Sequence, residues 1–392
     1  MRIRNRKFSL IPVCNGAPGR SLQIQVLYHF HREHPMRFRG FCWIRCLSTN
    51  VFASLFLCTI LFSSSGALAQ VASTSTERVF AEAQRAFDQG DFAAAVRGFE
   101  QVRRDAPHTK DAWHGLVLCY FRLGDKARGL ELAQEAVRLW PNDGETHHLM
   151  GFAYFQSGQP EPAIREFLEA TQLVPNQYEP HLDLALAYLS TKQYQAASEA
   201  LETAIRLKPT VALPHILLGR AYLNTNRTIP AIHEFNKALS LDPKIPLGHY
   251  HLGYAYDSLG RSSEAIAEFR KEISLYPDNA EVYYRLGRTL LDSGETQAAV
   301  EQLRHSLGLD PKNGDAQFTL GKALLEFGQP QESIEALRKA CVLKPQDPSP
   351  YFLLARAYGK VQNQEEAAKA LEQYAELKKL QGQTGGMAYR PN

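Results

Sequence analysis

Apolar residues recur along most of this chain at the spacing of amphipathic helices. In residues 246–279, Leu252 and Tyr256 lie four positions apart and predict one face of a first helix. Ala265 and Phe269 have the same spacing and predict the face of a second helix. The pattern therefore predicts a pair of short helices within this stretch.

Glycine and proline mark the ends of the two predicted helices. Gly260 follows the first helix, and glycine tolerates the left-handed backbone conformation that often closes a helix. Pro277 follows the second and stops it, because proline has no N–H with which to continue the helix. Gly253 and Ala265 are small, so the two helices can approach closely. A single pair cannot bury its apolar face alone, so neighbouring pairs must stack.

The same pattern returns every 34 residues. Prolines keep this spacing from Pro107 to Pro345, and the segment HYHLGYAYDSLG at 249–260 has the counterpart HILLGRAYLNTN at 215–226. A constant period of this length indicates an internal repeat. Nine units fill residues 76–381, and we predict these bounds: 76–109, 110–143, 144–177, 178–211, 212–245, 246–279, 280–313, 314–347 and 348–381.

The order of residues within a unit resembles the tetratricopeptide repeat. Trp113, Leu116 and Tyr120 carry the family's Trp, Leu and Tyr in the second unit, although Val117 stands where a small residue is expected. The resemblance implies an all-α fold, a right-handed α-solenoid (superhelix) of tandem helix-turn-helix units. It also implies that the first helix of each unit lines a concave groove. The first and ninth units depart from the pattern, as suits capping repeats whose outer faces meet water.

The amino-terminal segment is predicted to direct export. Residues 51–62, VFASLFLCTILF, form an uncharged apolar run of signal-peptide length that follows several arginines. The Ala-Leu-Ala sequence at 67–69 has the small-x-small pattern that signal peptidase accepts, which would leave Gln70 as the first residue. We therefore expect a periplasmic or secreted protein.

Met36 begins a basic segment of suitable size for the start of this signal peptide. Residues 36–69 are therefore interpreted as the signal peptide, and residues 1–35 as an over-extended start or a basic leader. The alternative is that 51–69 are retained as a membrane anchor. A spanning helix needs about 20 apolar residues, and Ser63 interrupts this run earlier.

The charges are divided unevenly between the two parts of the chain. Residues 1–69 hold nine of the 44 Lys and Arg but one of the 41 Asp and Glu, so residues 70–392 contain more acids than bases. Nucleic-acid binding depends on neutralising phosphates with basic residues. The acidic body therefore argues against a nucleic-acid partner.

Histidines recur at the fourth position of successive units, where the family often has Trp. They lie one per unit on helices expected to be roughly 10 Å apart, whereas metal–ligand bonds are near 2 Å. We therefore interpret them as packing residues with one polar edge and predict no metal site. They are His147, His181, His215 and His249.

The repeats leave little chain for catalysis. Outside residues 76–381, the exported chain has only 70–75 and the tail 382–392, which is predicted to be disordered. The chain has no P-loop, Rossmann glycine motif or zinc-protease motif. Cys119 and Cys341 have no neighbouring cysteine, unlike the cysteines of a zinc ribbon or a disulfide framework. We predict a protein that is not an enzyme and that uses no cofactor.

The remaining candidate site is the face that the resemblance places along the first helices. Position 5 of each unit carries an apolar or aromatic-type side chain, and position 9 adds basic side chains in the C-terminal half. This face would suit an extended or helical peptide with acidic groups; alternatively, position 5 only supports the neighbouring repeat. The candidate binding residues are Phe80, His114, His148, Phe152, Leu182, Ile216, Arg220, Tyr250, Tyr254, Tyr284, Arg288, Phe318, Lys322, Phe352 and Arg356.

These observations predict an exported, all-helical scaffold that binds a protein or peptide partner. Two other functions stay open. One is a membrane-anchored assembly factor, which would contact the membrane only through retained residues 51–69. The other is a carbohydrate-binding or enzyme-associated module, which the aromatic side chains of the predicted groove would suit.

Overall fold

The computed structural model describes residues 75–387, with side chains as far as Gln381. The predicted leader, the signal peptide and Gln70 lie outside the described residues. Within the described range, all regular structure is helical. The helices are α1 (residues 75–89), α2 (Phe92–Asp105), α3 (Lys110–Leu123), α4 (Lys126–Leu139), α5 (Gly144–Gln156), α6 (Pro160–Leu173), α7 (Tyr178–Ser190), α8 (Tyr194–Leu207), α9 (Ala212–Asn224), α10 (Thr228–Leu241), α11 (Gly248–Ser258), α12 (Ser262–Leu275), α13 (Ala280–Asp292), α14 (Thr296–Leu309), α15 (Gly314–Glu326), α16 (Pro330–Leu343), α17 (Ser349–Lys360) and α18 (Gln364–Met387).

The described residues fall into two compact units, 75–192 and 193–387. In the first unit, consecutive helices from α2 to α7 pack against one another, and α3 and α5 also contact each other directly. The second unit repeats this arrangement from α8 to α18, with α9, α11, α13, α15 and α17 each contacting the next of that set. The tandem helix-turn-helix fold is therefore confirmed, and the odd-numbered helices are the first helices of the repeats.

A glycine in the left-handed conformation closes α11, as the sequence predicts. Gly260 has φ +71° and follows the last helical residue, Ser258. The N–H of Arg261 then donates to the carbonyl of Tyr256 at 3.0 Å, which satisfies one of the carbonyls left free at the helix end. The chain can therefore reverse direction within three residues and begin α12.

The core of the α11–α12 pair is built where a first-helix glycine meets a second-helix aromatic ring. The side chain of Phe269 is fully buried in α12, and a Cβ added to Gly253 would lie 2.8 Å from its ring. That Cβ would also lie 3.2 Å from the backbone carbonyl of Ala265. Close approach of α11 and α12 therefore requires glycine at 253.

The first turn of α11 is held by a buried carboxylate. Leu247 precedes the helix with φ +64°, a conformation that costs energy for a residue with a side chain. Glu272 from α12 is fully buried and accepts the N–H of Leu247 at 2.8 Å and the N–H of Tyr250 at 3.2 Å. Burial raises the pKa of Glu272, whereas these hydrogen bonds oppose the rise.

The last helix is longer than its counterparts and runs to Met387. It enters the segment 382–392, for which the sequence predicts disorder. Lys379 stands at the position where earlier repeats have proline, so nothing stops the helix there. Residues 388–392 lie outside the described range. Among the helices described, none is both long and apolar enough to cross a membrane.

Candidate functional site

In the first unit, the predicted binding residues differ in how much of each side chain reaches solvent. Phe80, His114 and Phe152 are half-buried, whereas His148 and Leu182 are buried. The aromatic ring of Phe80 contacts the core ring of Phe99 at 5.6 Å between centroids. Position 5 in this unit therefore contributes to the packing between helices as well as to the surface.

A network of polar side chains surrounds His114. Its Nε2 lies 3.1 Å from Oγ1 of Thr146, whose hydroxyl donates to Oδ2 of Asp143 at 2.7 Å. Lys110 donates to the other oxygen of the same carboxylate at 2.7 Å. Burial, together with the nearby charge of Lys110, lowers the pKa of His114 to about 4. His114 is therefore neutral at neutral pH and joins α3 to α5 without adding a charge.

The other histidine at position 5, His148, lies in a buried pair with an acid. Its Nε2 is 2.7 Å from Oδ2 of Asp183, a residue of α7. Burial raises the pKa of Asp183 and lowers that of His148 to about 4. In the part of the chain that the structure describes, Oδ1 of Asp183 has no hydrogen-bond partner. Sequence reasoning missed Asp183, although an acid within the apolar run of α7 was a visible signal.

In the second unit, three predicted tyrosines surround an arginine that the sequence analysis did not select. The guanidinium of Arg285 lies 5.1 Å from the ring of Tyr254 and 5.7 Å from the ring of Tyr284. Its Nε donates to Glu281 at 2.7 Å. Tyr250 is half-buried beside it, and burial raises the pKa of this phenol to about 12. Arg285 has its partners within the protein and holds these rings in place.

The predicted basic residues fall into two groups according to their acidic partners. Arg288 donates to Asp257 at 2.7 Å, and Lys322 lies 3.9 Å from Asp292. Arg220 and Arg356 form no hydrogen bond or ion pair through their side chains with any described residue. Only Arg356 of these two is exposed; Arg220 is half-buried.

The exposure of the apolar candidates also increases along the second unit. Ile216 is buried, Tyr284 and Phe318 are half-buried, and Phe352 is 42% exposed. The Phe352 ring lies 5.3 Å from that of Tyr374. Aromatic side chains thus reach solvent on α11, α13, α15 and α17. They stand at position 5 of the repeat, except Tyr254 on α11, which stands at position 9. We call Tyr254, Tyr284, Phe318 and Phe352 the aromatic row.

The histidines at position 4 pack between the two helices of a pair. In the first unit, Nε2 of His147 donates to the carbonyl of Pro141 at 2.9 Å, and Nδ1 lies 2.8 Å from Glu166. Burial opposes a charge on His147, but the hydrogen bonds to these two residues outweigh it and raise its pKa. In the second unit, His215 pairs with Glu234 and His249 with Glu268, each at 2.6 Å.

These histidines do not form a metal centre with their neighbours. Among residues 75–381, no group of three or more His, Cys, Asp and Glu side chains is arranged to hold a metal ion. The recurring His–Glu pairs are 19 positions apart in sequence, a regularity that sequence reasoning missed.

Comparison with known families identifies the repeats. One tetratricopeptide repeat model matches residues 80–144, 216–280 and 284–348, and a second matches 178–211 and 348–379. No curated protein matched the chain in a separate comparison.

Solved structures of repeat proteins resemble this chain. The C-terminal part of a TPR repeat-containing protein from Cytophaga hutchinsonii is 18% identical with a TM-score of 0.50, and the match covers 62% of this chain and 99% of that one. The APC/C hetero-tetramer Cut9-Hcn1 is 20% identical with a TM-score of 0.50, covering 71% of this chain and 55% of that one. MamA from Desulfovibrio magneticus RS-1 is 27% identical with a TM-score of 0.41, covering 43% and 95%. The first two likenesses concern the fold alone.

Proposed function

This chain belongs to the tetratricopeptide repeat family, and we propose that it is an exported, non-catalytic scaffold whose first helices bind a segment of another protein. Stacked helical repeats present extended surfaces that partners occupy. The helices of residues 75–387 are accounted for by such repeats. A chain built from such repeats suits a function in binding rather than in catalysis.

The observation that carries this proposal is the aromatic row. Aromatic side chains supply large apolar contact area with little loss of conformational freedom, and they are enriched among the residues that dominate binding energy. Tyr284 and Phe318 occupy equivalent positions on α13 and α15, which contact each other. An extended or helical segment that follows the first helices would therefore meet one ring after another.

Charge supports a partner with acidic groups. Arg288 and Lys322 lie in the same half of the chain as the aromatic row, although each already has an acid nearby. Exposed Arg356 has no such acid among the described residues. Basic side chains of this kind guide the approach of an acidic partner and make the association rate sensitive to salt.

Peptide selection followed by affinity measurement tests the proposal. Peptides would be selected from a random display library on the chain that begins at Gln70, and their affinities measured for Tyr284→Ala and Phe318→Ala. Each substitution should weaken binding by roughly 1–3 kcal/mol, the usual contribution of an aromatic anchor. Val342→Ala is the matched control, because Val342 is 80% exposed on α16, a second helix.

Two results would contradict the proposal. Equal losses in the control and in the aromatic variants would mean that the first helices are not the binding surface. Binding to an array of isolated glycans, with no peptide selected, would favour the carbohydrate-binding alternative instead.

Export is tested separately by chemical analysis of the chain. Protein recovered from the periplasm or the medium should have Gln70 as its N-terminal residue, since the Ala-Leu-Ala sequence ends at Ala69. Membrane-bound protein that still contains 51–69 would favour the anchored assembly factor. Protein confined to the cytoplasm would contradict both.

A further inference from the structure

One arginine on the first helices is partly withdrawn from water without an acidic partner. Arg220 is half-buried on α9, a helix that contacts α11. No hydrogen bond or ion pair joins its guanidinium to any residue in the described part of the chain. A buried charged group is ordinarily paired, because moving a charge out of water costs free energy unless an opposite charge or hydrogen bonds compensate for it.

The residues that interact electrostatically with Arg220 have aromatic side chains. Burial lowers the pKa of Arg220, and the electrostatic interaction with the phenols of Tyr250 and Tyr194 opposes this shift without reversing it. His251 also feels the charge of Arg220; burial and then this charge lower the pKa of His251 to about 3. The His251 ring stacks on Phe235 at 5.6 Å. The imidazole is therefore neutral, and Arg220 is the only charged residue among these five side chains. Arg285, which also interacts with Tyr250, is already paired with Glu281.

The packing fixes these groups in place. The Tyr250 ring lies edge-on to the ring of His251 at 5.2 Å and also contacts the core ring of Phe269 at 6.2 Å. Because burial raises the pKa of Tyr250 to about 12, its phenol keeps its proton and can donate a hydrogen bond. A guanidinium beside a protonated phenol offers donors without acceptors of opposite charge, which suits an oxyanion.

Other basic residues on the first helices show what Arg220 lacks. Arg288 has its acid 31 positions earlier, at Asp257, and Lys322 has its acid 30 positions earlier, at Asp292. At the same distances before Arg220, the sequence has Leu189 and Ser190, which carry no charge.

We propose that Arg220, with Tyr250 beside it, is a binding site for the carboxylate of an acidic side chain in the partner's segment. Guanidinium and carboxylate groups match in geometry and form two parallel hydrogen bonds. The bound carboxylate supplies the charge that the protein itself does not. This inference rests on the proposed function and adds the ligand chemistry of one position to it.

The test measures binding of defined peptides by fluorescence anisotropy. The probe is labelled hexaglutamate with an amidated end, and amidated hexaglutamine is its uncharged counterpart. Wild-type protein should bind hexaglutamate more tightly, and Arg220→Met should weaken that binding roughly tenfold or more, the effect of losing a charge-assisted pair. Arg270→Met is the matched control, because Arg270 is an exposed arginine on α12, a second helix outside the candidate binding residues, and we expect a smaller change.

The outcomes separate this inference from the proposed function. If hexaglutamate binds no better than hexaglutamine, or binds equally to Arg220→Met and wild type, the carboxylate site is wrong. Library-selected peptides that still bind through the aromatic row would then leave the proposed function standing. If hexaglutamine with a free carboxyl end binds as well as hexaglutamate, the site takes a chain terminus and the side-chain assignment is overturned.

Stability gives a second, independent readout. Methionine keeps most of the apolar stem of Arg220 and removes its unpaired charge, so the melting temperature of Arg220→Met should stay equal or rise. Glu281 loses its partner in Arg285→Met, and this variant should melt at a lower temperature. A fall for Arg220→Met as large as that for Arg285→Met would show that Arg220 supports the fold, which would overturn the proposal.

Discussion

Adding one methyl group at position 253 should destabilise the second unit, although alanine forms helices better than glycine. The higher helix propensity of alanine favours the variant by about 1 kcal/mol. Against this, the new Cβ would lie 2.8 Å from the ring of Phe269 and 3.2 Å from the carbonyl of Ala265. The ring is fully buried and the carbonyl belongs to the α12 backbone, so relief requires α11 and α12 to separate.

The size of the effect follows from these opposing terms. Overpacking of this kind costs about 1–3 kcal/mol, so Gly253→Ala should lower the unfolding free energy by about 1 kcal/mol after the gain in propensity. Gly253→Leu adds three more carbons in the same place and should cost several kcal/mol. Gly308, near the end of α14, is the matched control, because a Cβ added there meets no atom within 4 Å. Gly308→Ala should therefore stabilise by about 0.5–1 kcal/mol.

Urea unfolding followed by circular dichroism measures these differences. The midpoint should fall for Gly253→Ala and rise for Gly308→Ala, with similar slopes. If both alanine variants raise the midpoint equally, the two helices have room at position 253 and the packing argument is wrong. An unchanged melting temperature for Gly253→Leu would refute it more strongly.

Three further substitutions test local features of the fold. Gln362→Gly should stabilise by about 0.5 kcal/mol, because Gln362 has φ +62° where glycine is easier to accommodate; a lower melting temperature would contradict this. Glu272→Ala should cost about 2–4 kcal/mol by leaving the N–H groups of Leu247 and Tyr250 unpaired, and faster exchange confined to these amides would support the assignment. Because the pKa of His114 is lowered to about 4, its stabilising effect is present above pH 6.5 and is lost as the pH falls towards 4. Wild type should therefore lose more stability than His114→Gln over that range, by up to about 3 kcal/mol, and parallel pH profiles would contradict this.

The helix pairs could be predicted because their signals are local. Residues four apart on one helix, such as Leu252 and Tyr256, share a face whatever surrounds them. Gly260 and Pro277 act on the backbone next to them, so their effects on helix ends need no knowledge of the tertiary structure. The same reasoning was incomplete for α18, where the missing proline at Lys379 lets the helix continue.

The contacts of the candidate site could not be predicted in the same way. Position 5 is apolar or aromatic in type throughout, yet Ile216 is buried and Phe352 is 42% exposed. Burial depends on the side chains that neighbouring helices bring against each position, and hydrophobic periodicity does not specify those. Likewise, the pair His148 and Asp183 joins two different helices, so neither residue alone indicated the other.

Some of these contacts can be recognised in the sequence once the repeat period is known. A histidine and a glutamate 19 positions apart pair wherever both are present, as in His147 and Glu166, and Ala200 leaves His181 without this acid. The basic residues follow a similar rule with a longer spacing, because Arg288 finds Asp257 one repeat earlier. The register shows where such an acid can stand but does not decide which charges are neutralised, because Glu326 lies 30 positions before Arg356 and the two form no ion pair. Arg220 has neither an acid at these spacings nor another side-chain partner among the described residues, and for that reason we propose that a carboxylate of the partner binds there.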